Sequence, residues 1–255
     1  MTQSVILCEG YLDRAFWAGC LEYLGCQDPG LPEGTTKRRP VIDPWGSKVA
    51  GGQFAYHSRS RRFIRIVPCG NKETVCPVGK LFLQNRCEEP LTHLILNVDA
   101  DTDVSISEDT PVSLNDRAVE TWLKEFGAPQ RNKHGDYALQ GGKSETIVSV
   151  VRWKAGDEDS PVLPSQETLE RLLCAALIAT YPERGPAVQH WLESRPKAPA
   201  AGPKEFGWSH MAGWYAQFGG EAFYRHLWAD EGVAAELEKR LRGCGAWRIA
   251  EALAE

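Results

Sequence analysis

Two apolar runs in this chain end in carboxylates, and that pairing is where chemistry is most readily built. The first is Val5-Ile6-Leu7-Cys8-Glu9-Gly10, with Asp13 three residues past the glycine. The second, ninety residues on, is Leu94-Ile95-Leu96-Asn97-Val98-Asp99-Ala100-Asp101, followed by Asp103. Short apolar runs bounded by polar breaks read as buried strands. Open α/β sheets gather their reactive groups at strand ends. Alternating acids such as Asp99, Asp101 and Asp103 can converge on one hard cation through oxygen ligands, as Mg2+ prefers.

Other readings of these letters can be weighed directly. An EF-hand loop would need Gly at 104 and Glu at 110, where the chain has Val104 and Thr110, so it fails. A haloacid-dehalogenase-like phosphatase would carry Thr at the fifth position of the acidic run, where Asp103 stands; that match is partial. A solvated acidic turn would give the same composition. Asp13 would sit in the first turn of a helix, where the helix dipole alone favours an acid. Gly10 would let the backbone turn tightly and leave room for a phosphate.

A third acid comes from the apolar segment near residue 170. At roughly 100° per residue, Leu169, Leu173, Ala176 and Leu177 form one stripe, with Glu170 at its margin. A carboxylate there is costly to desolvate without a partner; a metal or a buried Arg would serve. Basic residues gather at His57, Arg59, Arg61, Arg62 and Arg65, with Lys37, Arg38 and Arg39 upstream. Such a patch suits a phosphate backbone, and a plain solvated face fits it equally.

The elements that must position these groups follow from periodicity. Residues 3–9 read as a strand and 12–25 as a helix, with Phe16, Cys20 and Leu24 on one face. The stretch from about 27 to 57 is rich in Gly, Pro and basic residues and reads as an ordered insertion. Residues 62–68 alternate as a strand, and 72–84 form a helix weakened by Pro77 and Gly79. A strand over 91–99 precedes a helix capped by Ser113 and Asp116 and running to about Phe126. Ile147–Trp153 is a β-branched strand, and Ser165 caps an apolar helix to about Thr180. The tail from 186 looks helical, broken by Pro196, Pro199 and Pro203. Strands alternating with helices predict an α/β fold with a largely parallel sheet.

The bulk numbers bound the class. The chain has 255 residues, 42% hydrophobic and 25% charged, with net charge −5. A pI near 5.8 argues against bulk electrostatic binding to nucleic acid and leaves a local patch to do it. No apolar stretch reaches the roughly 18 residues of a membrane span, and no signal peptide is read at the N-terminus. Eight cysteines lack the paired Cys-x2-Cys spacing of a zinc site. Cys8 and Cys174 lie in apolar runs, which suits buried, reduced thiols and a cytoplasmic location. Nine tryptophans are present, five of them (Trp191, Trp208, Trp214, Trp228, Trp247) in the tail, where they read as core and interface anchors. No nucleophile elbow, phosphate loop or His-Glu-x-x-His motif occurs.

The Cys8-Glu9-Gly10-x-x-Asp13 segment and Asp99-Ala100-Asp101 together resemble a TOPRIM domain. That metal-binding fold is shared by topoisomerases, bacterial primases, recombination proteins and the overcoming-lysogenization-defect nucleases, and the form here is similar to the nuclease-like, stand-alone branch. Val67-Pro68-Cys69-Gly70-Asn71-Lys72 and Leu169-Glu170 resemble further parts of it. The resemblance implies a Rossmann-like TOPRIM fold over residues 1–185, with insertions at about 27–60 and 100–145 and a helical extension over 186–255 packed on the same domain. It implies a Mg2+- or Mn2+-dependent endonuclease, with metal ligands Glu9, Asp13, Asp99, Asp101, Asp103 and Glu170. Glu9 would be general acid/base and Lys204 (or Lys197) would stabilise phosphate charge. Arg61, Arg62, Arg65 and Lys72 would grip DNA or RNA. Expected partners are nucleic acid and an ABC-type ATPase or other subunit of an anti-phage defence system, with the chain in an oligomer or complex. The alternatives are a non-cleaving TOPRIM-fold interaction or regulatory subunit and a small-molecule phosphatase.

Overall fold

The structure is a computed structural model that describes residues 1–31, 37–100, 114–156, 160–195, 201–215 and 220–255. In chain order the elements are β1 (Gln3–Cys8), α1 (Tyr11–Tyr23), β2 (Phe54–His57), β3 (Phe63–Pro68), α2 (Lys72–Asn85), β4 (Leu91–Asp99), α3 (Asp116–Leu123), β5 (Gln130–Arg131), β6 (Tyr137–Leu139), β7 (Thr146–Trp153), α4 (Leu169–Thr180), α5 (Arg184–Glu193), α6 (Pro203–Tyr215), α7 (Gly220–Leu227), α8 (Glu231–Gly243) and α9 (Ala246–Ala254). The strands form one sheet in the order β2-β3-β1-β4-β7-β6-β5. This is a Rossmann-like α/β architecture with a mainly parallel centre.

β1 is buried along its whole length, as an apolar strand covered on both faces must be. It pairs in parallel with β3, from Gln3 opposite Phe63 to Cys8 opposite Pro68. On its other side it pairs in parallel with β4, Cys8 lying opposite Asn97. Antiparallel strands extend the sheet at both edges: β2 on β3, and β6 on β7 with β5 beyond it. The predicted insertion at 27–60 thus contains a strand, and the one at 100–145 contains a helix and a hairpin. Short strands of two to four residues carry too little periodicity to be read beforehand.

Helix boundaries moved where a different side chain does the capping. Asn115, not Ser113, caps α3 by accepting from Ala118 N at 2.8 Å; Ser113 lies outside the described residues. Thr168, not Ser165, caps α4 by accepting from Arg171 N at 3.3 Å. α2 covers the predicted span to Asn85, with Pro77 and Gly79 inside it. Asn71 caps it, and a Cβ at Gly79 would stand 3.1 Å from the Trp122 ring and 3.2 Å from Leu7. Gly79 therefore allows close packing on the sheet rather than weakening the helix.

The chain divides into two compact units. Among the described residues the first comprises 1–98, 114–151 and 249–255, and the second 99–100 and 152–248. The expected boundary at 185 is corrected. α4 packs against α6 and α8, and Arg240 of α8 donates to Ala175 O of α4 at 3.2 Å, so α4 belongs with the helices that follow it. The first unit's core joins Val5, Leu7, Leu94, Leu96, Val75 and Leu83 across β1, β4 and α2. In the second, Cys174 and Ala175 pack with Leu163, and Trp228 stacks on Trp247 with centroids 6.3 Å apart. Trp228 and Trp247 are buried, whereas Trp191 and Trp208 are exposed. Among the described residues no helix is long and apolar enough to cross a membrane.

One buried polar side chain pins the sheet. Asn97 is fully buried; it accepts from Trp17 Nε1 at 2.8 Å and donates to Val151 O at 3.4 Å. Asn97→Ala strands an indole N–H and a strand carbonyl, so it should lower unfolding free energy by roughly 2–4 kcal/mol. Urea denaturation checks this. A change under about 0.5 kcal/mol, within the range of an ordinary surface substitution, would remove Asn97 from that role.

Candidate functional site at the carboxyl ends of the strands

The β1–α1 turn is built around Asp13. Glu9 is half-buried and its backbone N donates to Asn97 O at 3.1 Å, which holds the end of β1 level with β4. Gly10 is the helix N-cap, with φ −128° and ψ 176°, an extended conformation open to any residue. Its missing side chain matters for space. A Cβ there would lie 3.1 Å from Asp13 Oδ2, the atom that accepts from Gly10 N at 2.9 Å. The room predicted for a phosphate is therefore taken by the Asp13 carboxylate, which is 8% exposed. Asp13 satisfies one of the donors that a helix start leaves open.

Asp99 ends β4 and is half-buried. Its Oδ1 accepts from Leu169 N, the first residue of α4, at 3.0 Å. A carboxylate is favoured at this positive helix end whether or not a metal is present. Glu170 occupies the first turn of the same helix and is 7% exposed. Gly207 of α6 packs directly on it, a Cβ there reaching 2.9 Å from Glu170 Cγ. Beside it, buried Arg171 donates to Pro164 O and lies 3.3 Å from Glu167. Asp101 and Asp103 lie outside the described residues. Among the described residues, no group of three or more His, Cys, Asp or Glu side chains is arranged to hold a metal ion.

The end of β3 adds Lys72 to this edge of the sheet. Gly70 has φ +94°, a left-handed turn that glycine adopts without strain. Asn71 then caps α2, accepting from Thr74 N at 3.0 Å, while Thr74 Oγ1 donates to Cys69 O at 2.6 Å. Lys72 follows at the first helical position, half-buried.

Three thiols lie along this edge. Burial, then the Asp13 charge, pushes the Cys8 thiol well above its ordinary value. Burial raises Cys69 to about 12 and Cys76 to about 11. Thiolate is the nucleophile, so the raised values disfavour reaction of these cysteines near neutral pH.

The arginines are placed elsewhere. Parallel pairing sets Phe63 beside Gln3 and Pro68 beside Cys8, so Arg61 and Arg62 precede β3 at the end opposite Glu9. Six strand residues at about 3.3 Å each separate the two ends by roughly 20 Å. Arg62 Nη1 donates to Ala252 O at 2.8 Å, closing the end of α9. Arg65 is held by Asp43 at 2.8 Å, the residue that organises the turn at 43–47 through Trp45 N and Ser47 N. Arg61 and Arg62 thus lie at the end of β3 away from Glu9 and Asp13, Arg65 is engaged by Asp43, and Lys72 stands at the same edge as the acids. Lys204 is exposed in the first turn of α6, and Lys197 lies outside the described residues. Sequence reasoning missed Asn97. The available signal was an amide inside an otherwise apolar strand, which burial obliges to find partners.

No protein-family model matches the chain, and none of the curated proteins matches it. Among solved structures, the crystal structure of a hypothetical protein from Pyrococcus horikoshii OT3 is similar to it. The TM-score is 0.72 with 15% sequence identity, over 100% of both chains. At that identity the likeness shows the fold: both are α/β proteins of Rossmann-like architecture.

Two measurements test this account. Asp13→Ala should lower unfolding free energy by about 1 kcal/mol in EDTA, the usual loss of a helix cap. A larger loss in Mn2+ would make Asp13 a metal ligand. Under a thiol-specific reagent at pH 8, exposed Cys87 should label first. Cys8, Cys69 and Cys76 should resist until the chain unfolds; fast labelling of Cys69 would contradict its raised pKa.

Proposed function

We propose that the protein is a Mg2+- or Mn2+-dependent endonuclease of TOPRIM type. The observation that carries this reading is the parallel register of β1 and β4, in which Glu9 N bonds Asn97 O. Glu9 and Asp13 follow one strand, and Asp99, Asp101 and Asp103 the end and continuation of the other. A set of carboxylate oxygens fits a hard divalent cation. The proposed ligands are Glu9, Asp13, Asp99, Asp101 and Asp103, with Glu170 beside Asp99 at the head of α4 in the second unit. Such a metal, when bound, polarises a scissile phosphate and activates water.

The chain's own residues then have distinct tasks. Glu9 is the general acid/base, because it follows β1 and lies outside the Asp99–Asp103 cluster. Lys72 contacts the nucleic-acid backbone at this edge, and Lys204 stabilises phosphate charge. A cytoplasmic role in anti-phage defence, beside an ABC-type ATPase, belongs to the same proposal, since the chain has no phosphate loop of its own.

A second reading is favoured by a specific observation. Asp13 and Asp99 both serve as helix-terminal acceptors, and among the described residues no metal-holding group is assembled. Those facts suit a non-cleaving regulatory subunit.

Supercoiled plasmid and total RNA, incubated with Mg2+, Mn2+ or EDTA, separate the two. Metal-dependent cleavage is expected, with Glu9→Ala losing about 10²–10⁴-fold, the usual loss of a general base. Cleavage retained in both Glu9→Ala and Asp99→Ala would falsify the assignment. Absence of both cleavage and any metal-dependent change in Tm would favour the regulatory subunit.

A further inference from the structure

At the opposite end of the sheet from Glu9, the first unit contains a cavity of about 710 Å3, lined by Gly25, Gln27, His57, Ser58, Arg59 and Arg61 with Met1. Its volume falls within the range of small-molecule sites. None of its lining residues is acidic, in a chain of net charge −5. Two guanidinium groups border it.

The turn that presents them is fixed from several sides. Arg61 N donates to Ser58 O at 2.9 Å, and Arg62 N to Ser58 Oγ at 3.0 Å. Arg59 N and Ser60 N donate to Ala254 O and Glu255 O at the end of α9. The Arg59 guanidinium donates to Leu24 O at 2.8 Å and lies 3.5 Å from the position of a Gly25 Cβ. Gly25 itself is left-handed at φ +86°. His57, edge-on to Phe63 at 5.6 Å, and Gln27, bridged to the His57 backbone, form the adjoining wall. A site this constrained loses little freedom when it binds.

Arg61 supplies an independent observation. Its φ of 63° is the only positive value among the described non-glycine residues. That conformation favours Gly or Asn and strains a long side chain. Glycine would serve the turn better, so a backbone strain is borne here by a residue whose long side chain is exposed at the cavity.

We propose that this cavity binds a phosphate-bearing ligand of mononucleotide size, with Arg59 and Arg61 holding the phosphate. Guanidinium forks match phosphate oxygens in pairs. The volume is far more than a lone phosphate ion fills, and His57 and Gln27 adjoin the arginines in the lining. The site is separate from the acidic edge and stands whether or not that edge cuts nucleic acid.

Calorimetric titration of the full chain in EDTA, with AMP, ATP, inorganic phosphate and adenosine, tests it. AMP or ATP should bind, and adenosine should not. Arg61→Gly should keep the Tm at or above that of the unaltered protein, because glycine suits this backbone, while weakening nucleotide binding by about tenfold or more. Three results would overturn the proposal: no binding of either nucleotide at millimolar concentration, unchanged affinity in Arg61→Gly, or inorganic phosphate binding as tightly as AMP.

Discussion

The first unit hangs on the amide of Asn97. Its carbonyl holds Glu9 N, its side-chain oxygen holds the Trp17 indole, and its side-chain nitrogen reaches Val151 O. One residue in the central strand thereby sets the level of β1, the seat of α1 and the approach of β7. An unpaired amide in that position would be expensive, so the neighbours have little latitude. Register is the result, and register decides which side chains can meet.

Parallel strands give the first unit a polarity. At the carboxyl end of β1 and β3 lie Glu9, Asp13 and Lys72, where α1 and α2 begin and their N-terminal amides face outward. At the amino end lies the Ser58–Arg62 turn, clamped by the last residues of α9. Chain direction thus places Glu9 and Asp13 at one end and the Arg59–Arg62 group at the other. A basic cluster that looks contiguous in the sequence is divided among an α9 clamp at Arg62, an internal ion pair at Arg65 and a cavity wall at Arg59 and Arg61.

Helix termini complicate any reading of acids as ligands. Asp13 and Asp99 each accept a backbone N–H at a helix start, and a carboxylate in that place is stabilising without a metal. The same oxygen atoms have further lone pairs to offer, so capping and metal binding do not compete outright. In the second unit, Glu170 lies under Gly207, a contact only glycine allows at that spacing. Close helix packing there defines the environment of the third acid.

The sequence by itself determined the strands β1, β3, β4 and β7 and the helices between them, because long apolar runs with clear period leave few alternatives. It also determined that carboxylates follow β1 and β4, since strand ends are marked by the change from apolar to polar residues. Cys8 and Cys174 were legible as buried thiols for the same reason. Tertiary structure alone decided the rest. The short strands β2, β5 and β6 exist only because a longer neighbour supplies their hydrogen bonds. Which residue caps α3 and α4 depended on where each chain segment arrives, not on which residue could cap. The room expected for a phosphate at Gly10 is taken by Asp13, and Gly79, read as a weak point of its helix, makes room for Trp122 and Leu7. The arginines' positions followed from parallel pairing, a long-range relation that local spacing does not carry.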